Sequence, residues 1–110
     1  MKLPGAERSI VDPAKVRDYL LSPAHPVGRF KARFFLGLGY SPEKWEALVL
    51  DLRRQAERGI ATKGEESAYG QKFEVRGRLA APGGRAVEII TIWIVLTDED
   101  APRFVTAFPG

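Results

Sequence analysis

Two side chains suited to phosphate chemistry lie close together in the first third of the sequence. His25 stands in the segment Pro23-Ala24-His25-Pro26, and the proline after it disfavours helical geometry, so His25 is predicted in an extended loop. Lys31 follows on a helix predicted over residues 28–37. We expect the two side chains to converge near the N-terminus of this helix, a position that favours anions.

Lys31 falls inside the apolar arc of its predicted helix, between Leu38 and Phe35 when successive residues are placed about 100° apart. An ammonium there reaches the solvent at the edge of the arc, pairs with a carboxylate, or faces a cleft that receives an anion. The sequence leaves these three outcomes open. Arg29 and Arg33 lie together outside the arc, and Arg29 is a candidate substrate-binding residue.

Four further candidates lie on predicted strands. The strand over residues 87–96 has an aliphatic face formed by Ile90, Ile92, Ile94 and Leu96. If that face meets the helices, Thr91 and Trp93 look outward as candidate substrate-binding residues, and the indole either stacks on a nucleic-acid base or caps the sheet. On the last strand, Arg103 and Thr106 are candidate catalytic residues. Their spacing points them to opposite faces unless a bulge intervenes.

The composition excludes several kinds of site. The 110-residue chain has no cysteine and a single histidine, which excludes cysteine-ligated zinc or iron–sulfur sites and sites built from several histidines. The run 98–100 is acidic but lacks the spacing of a calcium loop, so we expect neither a metal nor a cofactor. A net charge of +3, with residues 26–42 free of acids, is compatible with a polyanionic partner.

Hydrophobic period and capping residues predict the elements that must position these candidates. Asp12-Pro13 and Ser41-Pro42 each combine a helix-capping side chain with proline at the first helical position. Gly59 is predicted to end the last helix. The predicted helices cover residues 13–21, 28–37 and 42–58.

From residue 60 onward the apolar residues alternate as in strands. Strands are predicted over residues 60–66, 73–79, 87–96 and 103–108. Helices followed by a meander of strands predict one α+β domain over residues 1–110, with two to three N-terminal helices packed on one face of a roughly four-stranded antiparallel sheet. We expect Trp45, Leu48 and Leu52 to cover the aliphatic face of the third strand.

No targeting or membrane segment is visible in the sequence. The longest apolar stretch, residues 89–96, is far shorter than the ~20 residues that span a bilayer, so we expect a cytoplasmic location. The chain contains no asparagine and has eleven arginines against six lysines. Both features fit a thermophilic source, and a GC-rich genome would produce the same bias.

Four stretches of the chain carry a recognisable pattern. They are Leu20–Phe35 continued by Leu38–Ser41, Tyr69–Lys72, Trp93-Ile94 and Pro102–Pro109. Together they resemble the signature of a small, uncharacterised bacterial family of domains of unknown function, and the resemblance extends over nearly the whole chain.

A looser likeness concerns function. A His/Lys helix, a four-stranded antiparallel sheet and a closing Thr-Ala-x-Pro are similar to ribonuclease toxin domains of the barnase–EndoU–colicin–RelE-like superfamily. That resemblance implies metal-independent RNA cleavage, in which a base activates the ribose 2′-hydroxyl and cations stabilise the phosphorane. It implies His25 as acid or base and Lys31 or Arg103 as the phosphate clamp. Thr106 would position the substrate, with Thr91 nearby, and a cognate antitoxin-like protein would be the partner.

Two hypotheses therefore remain. The first is a ribonuclease-like domain of the toxin type, and the alternative is a non-catalytic module whose basic sheet face and Trp93 contact nucleic acid or a protein. A cleft that gathers His25, Lys31 and Thr106 favours the first, and a flat face with Lys31 directed to solvent favours the second.

Overall fold

A computed structural model describes residues 1–110 and shows the predicted α+β architecture, with three helices preceding a four-stranded antiparallel sheet. The elements are α1 (Pro13–Lys15), continued by a π-helical turn (Val16–Leu20), α2 (Arg29–Gly37), α3 (Trp45–Arg58), β1 (Ile60–Glu66), β2 (Gly70–Ala80), β3 (Ala86–Leu96) and β4 (Arg103–Pro109). Short 3-10 segments, Ala6–Arg8 and Pro42–Lys44, precede α1 and α3.

Only one of the two predicted helix caps forms. The Asp12 carboxylate accepts a hydrogen bond from the Ala14 N–H at 2.9 Å, and Pro13 takes the first helical position. Ser41 makes no side-chain cap, although the helical segment does begin at Pro42. The longest helix, α3, has 14 residues, and no helix combines the length and the apolar content that crossing a membrane requires.

The end of α3 is fixed by a close approach to β2. A Cβ atom at Gly59 would lie 2.6 Å from Val75 Cγ1 and 2.8 Å from the Arg76 carbonyl oxygen, distances that no real side chain tolerates. Glycine therefore lets α3 meet the sheet here. One turn earlier, the Gln55 amide donates to the carbonyl oxygens of Val75 at 3.1 Å and Ile89 at 3.3 Å, which ties α3 to two neighbouring strands.

The strands follow one another in the order β1-β2-β3-β4, so β1 and β4 are the edges of the sheet. Between β3 and β4 the register shifts: Trp93 pairs with Phe104, but Ile92 pairs with Thr106. Val105 is the extra residue of this β-bulge. Because of the bulge, Arg103 pairs with Ile94 and Thr106 pairs with Ile92, so both lie on the same face of the sheet. The sequence spacing alone, without a bulge, would place them on opposite faces.

The prediction of which face of β3 meets the helices is wrong. Thr91 and Trp93 are 0% exposed and belong to the face covered by the helices, whereas Ile92 and Ile94 on the opposite face are half-buried. The α3 residues expected to cover the isoleucines pack against the same core as Trp93: Leu48, Leu52 and the partly buried Trp45.

Hydrogen bonds explain this choice of face. The Trp93 indole N–H donates to Thr91 Oγ1 at 2.7 Å, and the Thr91 hydroxyl donates to Gln55 Oε1 at 2.8 Å. The polar side-chain atoms of Trp93, Thr91 and Gln55 therefore all have hydrogen-bond partners, and no buried polar side-chain atom of the protein is left without one. Burying the large indole removes more apolar surface from water than burying an isoleucine. Thr91 and Trp93 therefore do not form an outward-facing substrate surface.

Candidate functional site

A cleft opens between the helical turns around α1, the loop before α2 and the free edge of β4. It has a volume of about 590 Å³ and brings together three of the predicted catalytic residues: His25, Lys31 and Thr106. The remaining lining residues are Ala14, Lys15, Asp18, Tyr19 and Val105. These three residues therefore line one cleft and not a flat face.

Lys31 is the half-buried centre of this cleft. Its ammonium donates to Thr106 Oγ1 at 2.9 Å and to Tyr19 Oη at 3.3 Å, and it lies 5.4 Å from the centroid of the Tyr19 ring. No carboxylate forms an ion pair with Lys31. The Lys31 ammonium therefore faces a cleft and does not pair with a carboxylate. Two neutral hydroxyls hold it there, and its positive charge is not neutralised by the protein.

Close packing positions the residues that hold Lys31. A Cβ atom at Gly28 would lie 2.7 Å from the Tyr19 carbonyl oxygen and 2.9 Å from Tyr19 Cδ1, so glycine lets the loop before α2 press against the Tyr19 ring. On α2, the buried Ala32 and Phe35 anchor the helix in the core. The β-bulge of β4 places Thr106 at the sheet edge opposite this helix. Lys31 and the two hydroxyl groups that hold it thus lie on three separate elements: α2, the π-helical turn with Tyr19, and β4 with Thr106.

His25 caps the turn that precedes α2, and the N-cap of the helix itself, Gly28, has no side-chain cap. The His25 Nδ1 atom accepts hydrogen bonds from the backbone N–H groups of Val27 at 3.1 Å and Gly28 at 3.0 Å, and its ring packs edge-on against Tyr19 with centroids 5.0 Å apart. Because the Nδ1 lone pair is occupied, the neutral ring carries its proton on Nε2. His25 therefore offers a ligand an N–H donor. The backbone thus engages Nδ1, and Nε2 is the ring nitrogen left free to contact a ligand.

The charges lining the cleft favour an anion. Lys15 is a second ammonium, and it donates to the Val105 carbonyl oxygen at 3.2 Å. The only carboxylate of the lining is Asp18, which accepts two hydrogen bonds from Arg17 at 2.9 and 3.1 Å. These hydrogen bonds hold the pKa of Asp18 below its ordinary value, and they raise the pKa of Arg17. Since Arg17 compensates the charge of Asp18, the charges of Lys15 and Lys31 remain available.

Arg103 and Arg29 lie outside this cleft. Arg103 makes two hydrogen bonds to the Glu99 carboxylate, at 3.0 and 3.3 Å, which raise its pKa. It lines a neighbouring groove that shares Lys15 and Val105 with the cleft. Arg29 stacks over the Phe30 ring on the exposed surface of α2. The structure therefore separates both arginines from Lys31.

Sequence reasoning missed the contributions of Tyr19, Lys15 and Asp18. None of the three was a candidate in the sequence analysis. Their positions on adjacent helical turns, together with Ala14, place them on one side of the helical segment. That spacing was a usable signal, but nothing local indicated that this side would face Lys31. No group of three or more histidine, aspartate or glutamate side chains is arranged to hold a metal ion.

The comparisons with known proteins concern the family and the fold. The family model of a domain of unknown function, DUF6883, matches residues 2–110. A solved structure described as a contact-dependent growth inhibition toxin–immunity protein complex from Klebsiella pneumoniae 342 contains a similar chain, with a TM-score of 0.71, 23% identity and 96% coverage of each chain. Similarity at this level of identity shows a shared fold. The comparison with curated proteins gave no match.

Proposed function

The chain belongs to the DUF6883 family of unknown function, and we propose that it is a metal-independent, ribonuclease-like domain of the toxin type that acts through the cleft around Lys31. One observation carries this proposal. The Lys31 ammonium is held at a fixed position by Thr106 and Tyr19 without a carboxylate, and a second ammonium, Lys15, lines the same cleft. A phosphodiester supplies the negative charge that this arrangement lacks.

In the proposed reaction the ribose 2′-oxygen attacks phosphorus and the bond from phosphorus to the 5′-oxygen breaks. The products are a 2′,3′-cyclic phosphate and a 5′-hydroxyl end. Negative charge increases on the phosphoryl oxygens as the phosphorane forms. Lys31 and Lys15 stabilise that charge, and because Thr106 and Tyr19 already hold Lys31 in place, little reorganisation is needed during the reaction.

His25 has a more limited role in this proposal than the one implied by the toxin resemblance. Its Nδ1 atom is occupied by the two capping hydrogen bonds, so Nε2–H is the group left to contact substrate. We assign His25 the donation of a hydrogen bond to a phosphoryl oxygen. The proton of the 2′-hydroxyl passes to solvent, and the 5′-oxygen takes its proton from solvent.

A protein partner is part of the proposal. The protein with the similar fold comes from a toxin–immunity complex, and a toxin-type nuclease requires a partner that blocks it in the cell that makes it. We propose that such an antitoxin-like or immunity-like protein covers the cleft. An acidic surface would complement Lys15 and Lys31.

The second candidate function is a non-catalytic nucleic-acid-binding module. It is favoured by the role of His25 in capping the turn before α2, because a side chain held by two backbone N–H groups can be purely structural. The same cleft would then bind a phosphate group without cleaving the chain. The buried position of Trp93 removes the stacking surface that the sequence suggested for this function.

The test is cleavage of single-stranded RNA in excess EDTA. We expect fragments that end in 2′,3′-cyclic phosphate, while DNA of the same sequence stays intact because it lacks the 2′-hydroxyl nucleophile. Lys31→Met should lower the rate by roughly 10²–10³-fold, the loss expected for one preorganised charge or donor in such a site. Lys63→Met, which alters an exposed lysine on β1, is the matched control and should leave the rate unchanged.

Equal rates for the two lysine variants would overturn the proposed site. RNA binding without any cleavage, weakened steeply by salt and by Lys31→Met, would support the binding module instead.

A further inference from the structure

We propose that the far side of α2 carries a second RNA subsite, in which Phe30 stacks on an unpaired base and Arg29 and Arg33 bind the adjacent phosphates. This inference rests on the proposed function and extends it, because it makes a single strand longer than a dinucleotide the preferred substrate. The subsite is distinct from the cleft around Lys31.

The exposed aromatic ring is the first observation. Phe30 is 65% exposed, although it lies on a well-formed helix with other positions buried. Together with Pro23, Arg29, Arg33 and Leu36 it lines a groove of about 310 Å³. The Arg29 guanidinium carbon lies 4.9 Å from the centroid of the Phe30 ring. A ring and a guanidinium plane next to one another form the kind of platform on which single-stranded bases stack.

Unneutralised charge is the second observation. Neither Arg29 nor Arg33 forms an ion pair, as Arg8, Arg17, Arg54, Arg76 and Arg103 do. Arg58 and Arg78 are also without an ion pair, but their pocket contains the Asp51 carboxylate and no aromatic ring. No acidic residue occurs between residues 26 and 42. The groove therefore combines an apolar ring with two available guanidinium groups, which matches the base and the phosphates of a polynucleotide better than it matches an uncharged ligand.

The helix geometry relates this groove to the cleft. Arg29 and Arg33 each lie two positions from Lys31, so they project about 160° away from it around the helix axis. A helix with its side chains is about 10–12 Å across. Phe30 is one position from Lys31, about 100° around the helix axis, and the groove it lines has no lining residue in common with the cleft. We therefore expect a dinucleotide bound at Lys31 to leave the groove empty, whereas a longer strand that passes over the N-terminal end of α2 enters it. The groove should affect the binding of long substrates only.

The experiment compares two substrates and two double variants. The substrates are a dinucleotide and a 12-nucleotide single-stranded RNA, and the measured quantities are the KM of cleavage and the affinity for the corresponding 12-nucleotide DNA, which is not cleaved. Arg29→Ala/Arg33→Ala is compared with Arg58→Ala/Arg78→Ala, which removes the same charge from a separate pocket at the end of α3. Phe30→Leu and Phe30→Trp separate stacking from simple apolar contact.

We expect Arg29→Ala/Arg33→Ala and Phe30→Leu each to raise the KM for the 12-nucleotide RNA about tenfold or more, with the dinucleotide unaffected. Phe30→Trp should retain the affinity. Because Phe30 is exposed, these changes should leave the melting temperature unchanged.

The outcomes distinguish this subsite from the proposed function. If the wild type cleaves RNA, and the groove variants have the same KM for the 12-nucleotide RNA as Arg58→Ala/Arg78→Ala, the subsite is overturned. The ribonuclease proposal is not affected by that result. If nothing is cleaved but the groove variants alone lose affinity for the 12-nucleotide DNA, the ribonuclease proposal fails and the subsite stands. An equal loss of affinity for polyglutamate would assign the groove to acidic proteins and overturn it as an RNA subsite.

Discussion

Two polar clusters in this protein have similar hydrogen bonds but differ in net charge: one is neutral and the other is positive. In the core, Trp93, Thr91 and Gln55 form a neutral chain that ends on backbone carbonyl oxygens. At the edge of the sheet, Lys31 donates to Thr106 and to a tyrosine hydroxyl. The core chain is closed to solvent and every polar atom has a partner. The edge cluster opens into a cleft and contains a charge that no neighbour neutralises.

This difference separates a structural network from a ligand site. A buried neutral network with matched donors and acceptors specifies how α3 lies on the sheet. An ammonium held by neutral hydroxyls pays part of its desolvation cost without gaining a counter-ion, so it contributes little to folding. In the proposed function this charge binds an anionic phosphate. We therefore expect substitutions in the core network to change stability and substitutions in the cleft to change activity.

Lys31→Met gives the largest expected effect, and it tests the cleft side of the comparison. The rate of RNA cleavage should fall by roughly 10²–10³-fold. The melting temperature should stay the same or rise, because an apolar side chain replaces an unpaired half-buried charge. Circular dichroism melts alongside the cleavage assay check both expectations. A melting temperature several degrees lower would mean that Lys31 is structural, and it would remove this residue from the proposed site.

Gln55→Leu tests the core side. Loss of the amide removes the Gln55 donor from the Val75 and Ile89 carbonyl oxygens and leaves the buried Thr91 O–H without an acceptor, and a buried unsatisfied group costs about 1–3 kcal/mol. Urea denaturation should show this loss, with cleavage per folded molecule unchanged. Thr91→Ser keeps the hydroxyl and serves as the mild control. A variant with full stability would show that the closed network is dispensable.

His25 belongs to both categories, and two substitutions separate its roles. His25→Asn places an acceptor near the position of Nδ1 and should keep the two hydrogen bonds to the turn before α2 but lose the donor, so activity falls while stability is retained. His25→Gln places a donor near the position of Nε2 and should do the reverse, with a stability loss of about 1 kcal/mol for the lost hydrogen bonds to the turn before α2. Full activity in His25→Asn would leave His25 with only its capping role.

Asp18→Asn should give the smallest effect. Removing the only carboxylate of the lining raises the affinity for RNA a few-fold at low salt, and added salt reduces the gain. Hydrogen bonds from Arg17 lower the pKa of Asp18, so the carboxylate stays charged as the pH falls and the gain should persist until the pH is below the ordinary value of 3.8. Fluorescence anisotropy across pH measures this.

The matched control for that measurement is Asp98→Asn, in the exposed turn between β3 and β4. An equal gain in affinity from this variant would show that net charge alone is responsible and that Asp18 has no local effect.

The sequence alone determined the elements of this fold and part of the candidate site. The Asp12 cap, the change from helical to alternating period and the glycine at residue 59 depend on neighbouring residues, so they predicted three helices and four strands correctly. Ser41-Pro42 marked the start of the third helical segment, although the Ser41 cap does not form. His25 and Lys31 are close in sequence, and both line the cleft.

The face of each element that is buried, and the residues that it contacts, depend on long-range packing and became visible only in the folded structure. Both faces of β3 are apolar enough to be buried, and Gln55, from a distant helix, decided in favour of the face with Trp93. The β-bulge that turns Thr106 towards Lys31, and the packing of Tyr19 against Gly28, likewise join segments far apart in sequence. Local patterns fix backbone conformation because they act within a few residues. The partner of a polar side chain depends on long-range packing, which is why the charge balance of the cleft emerged only in the folded chain.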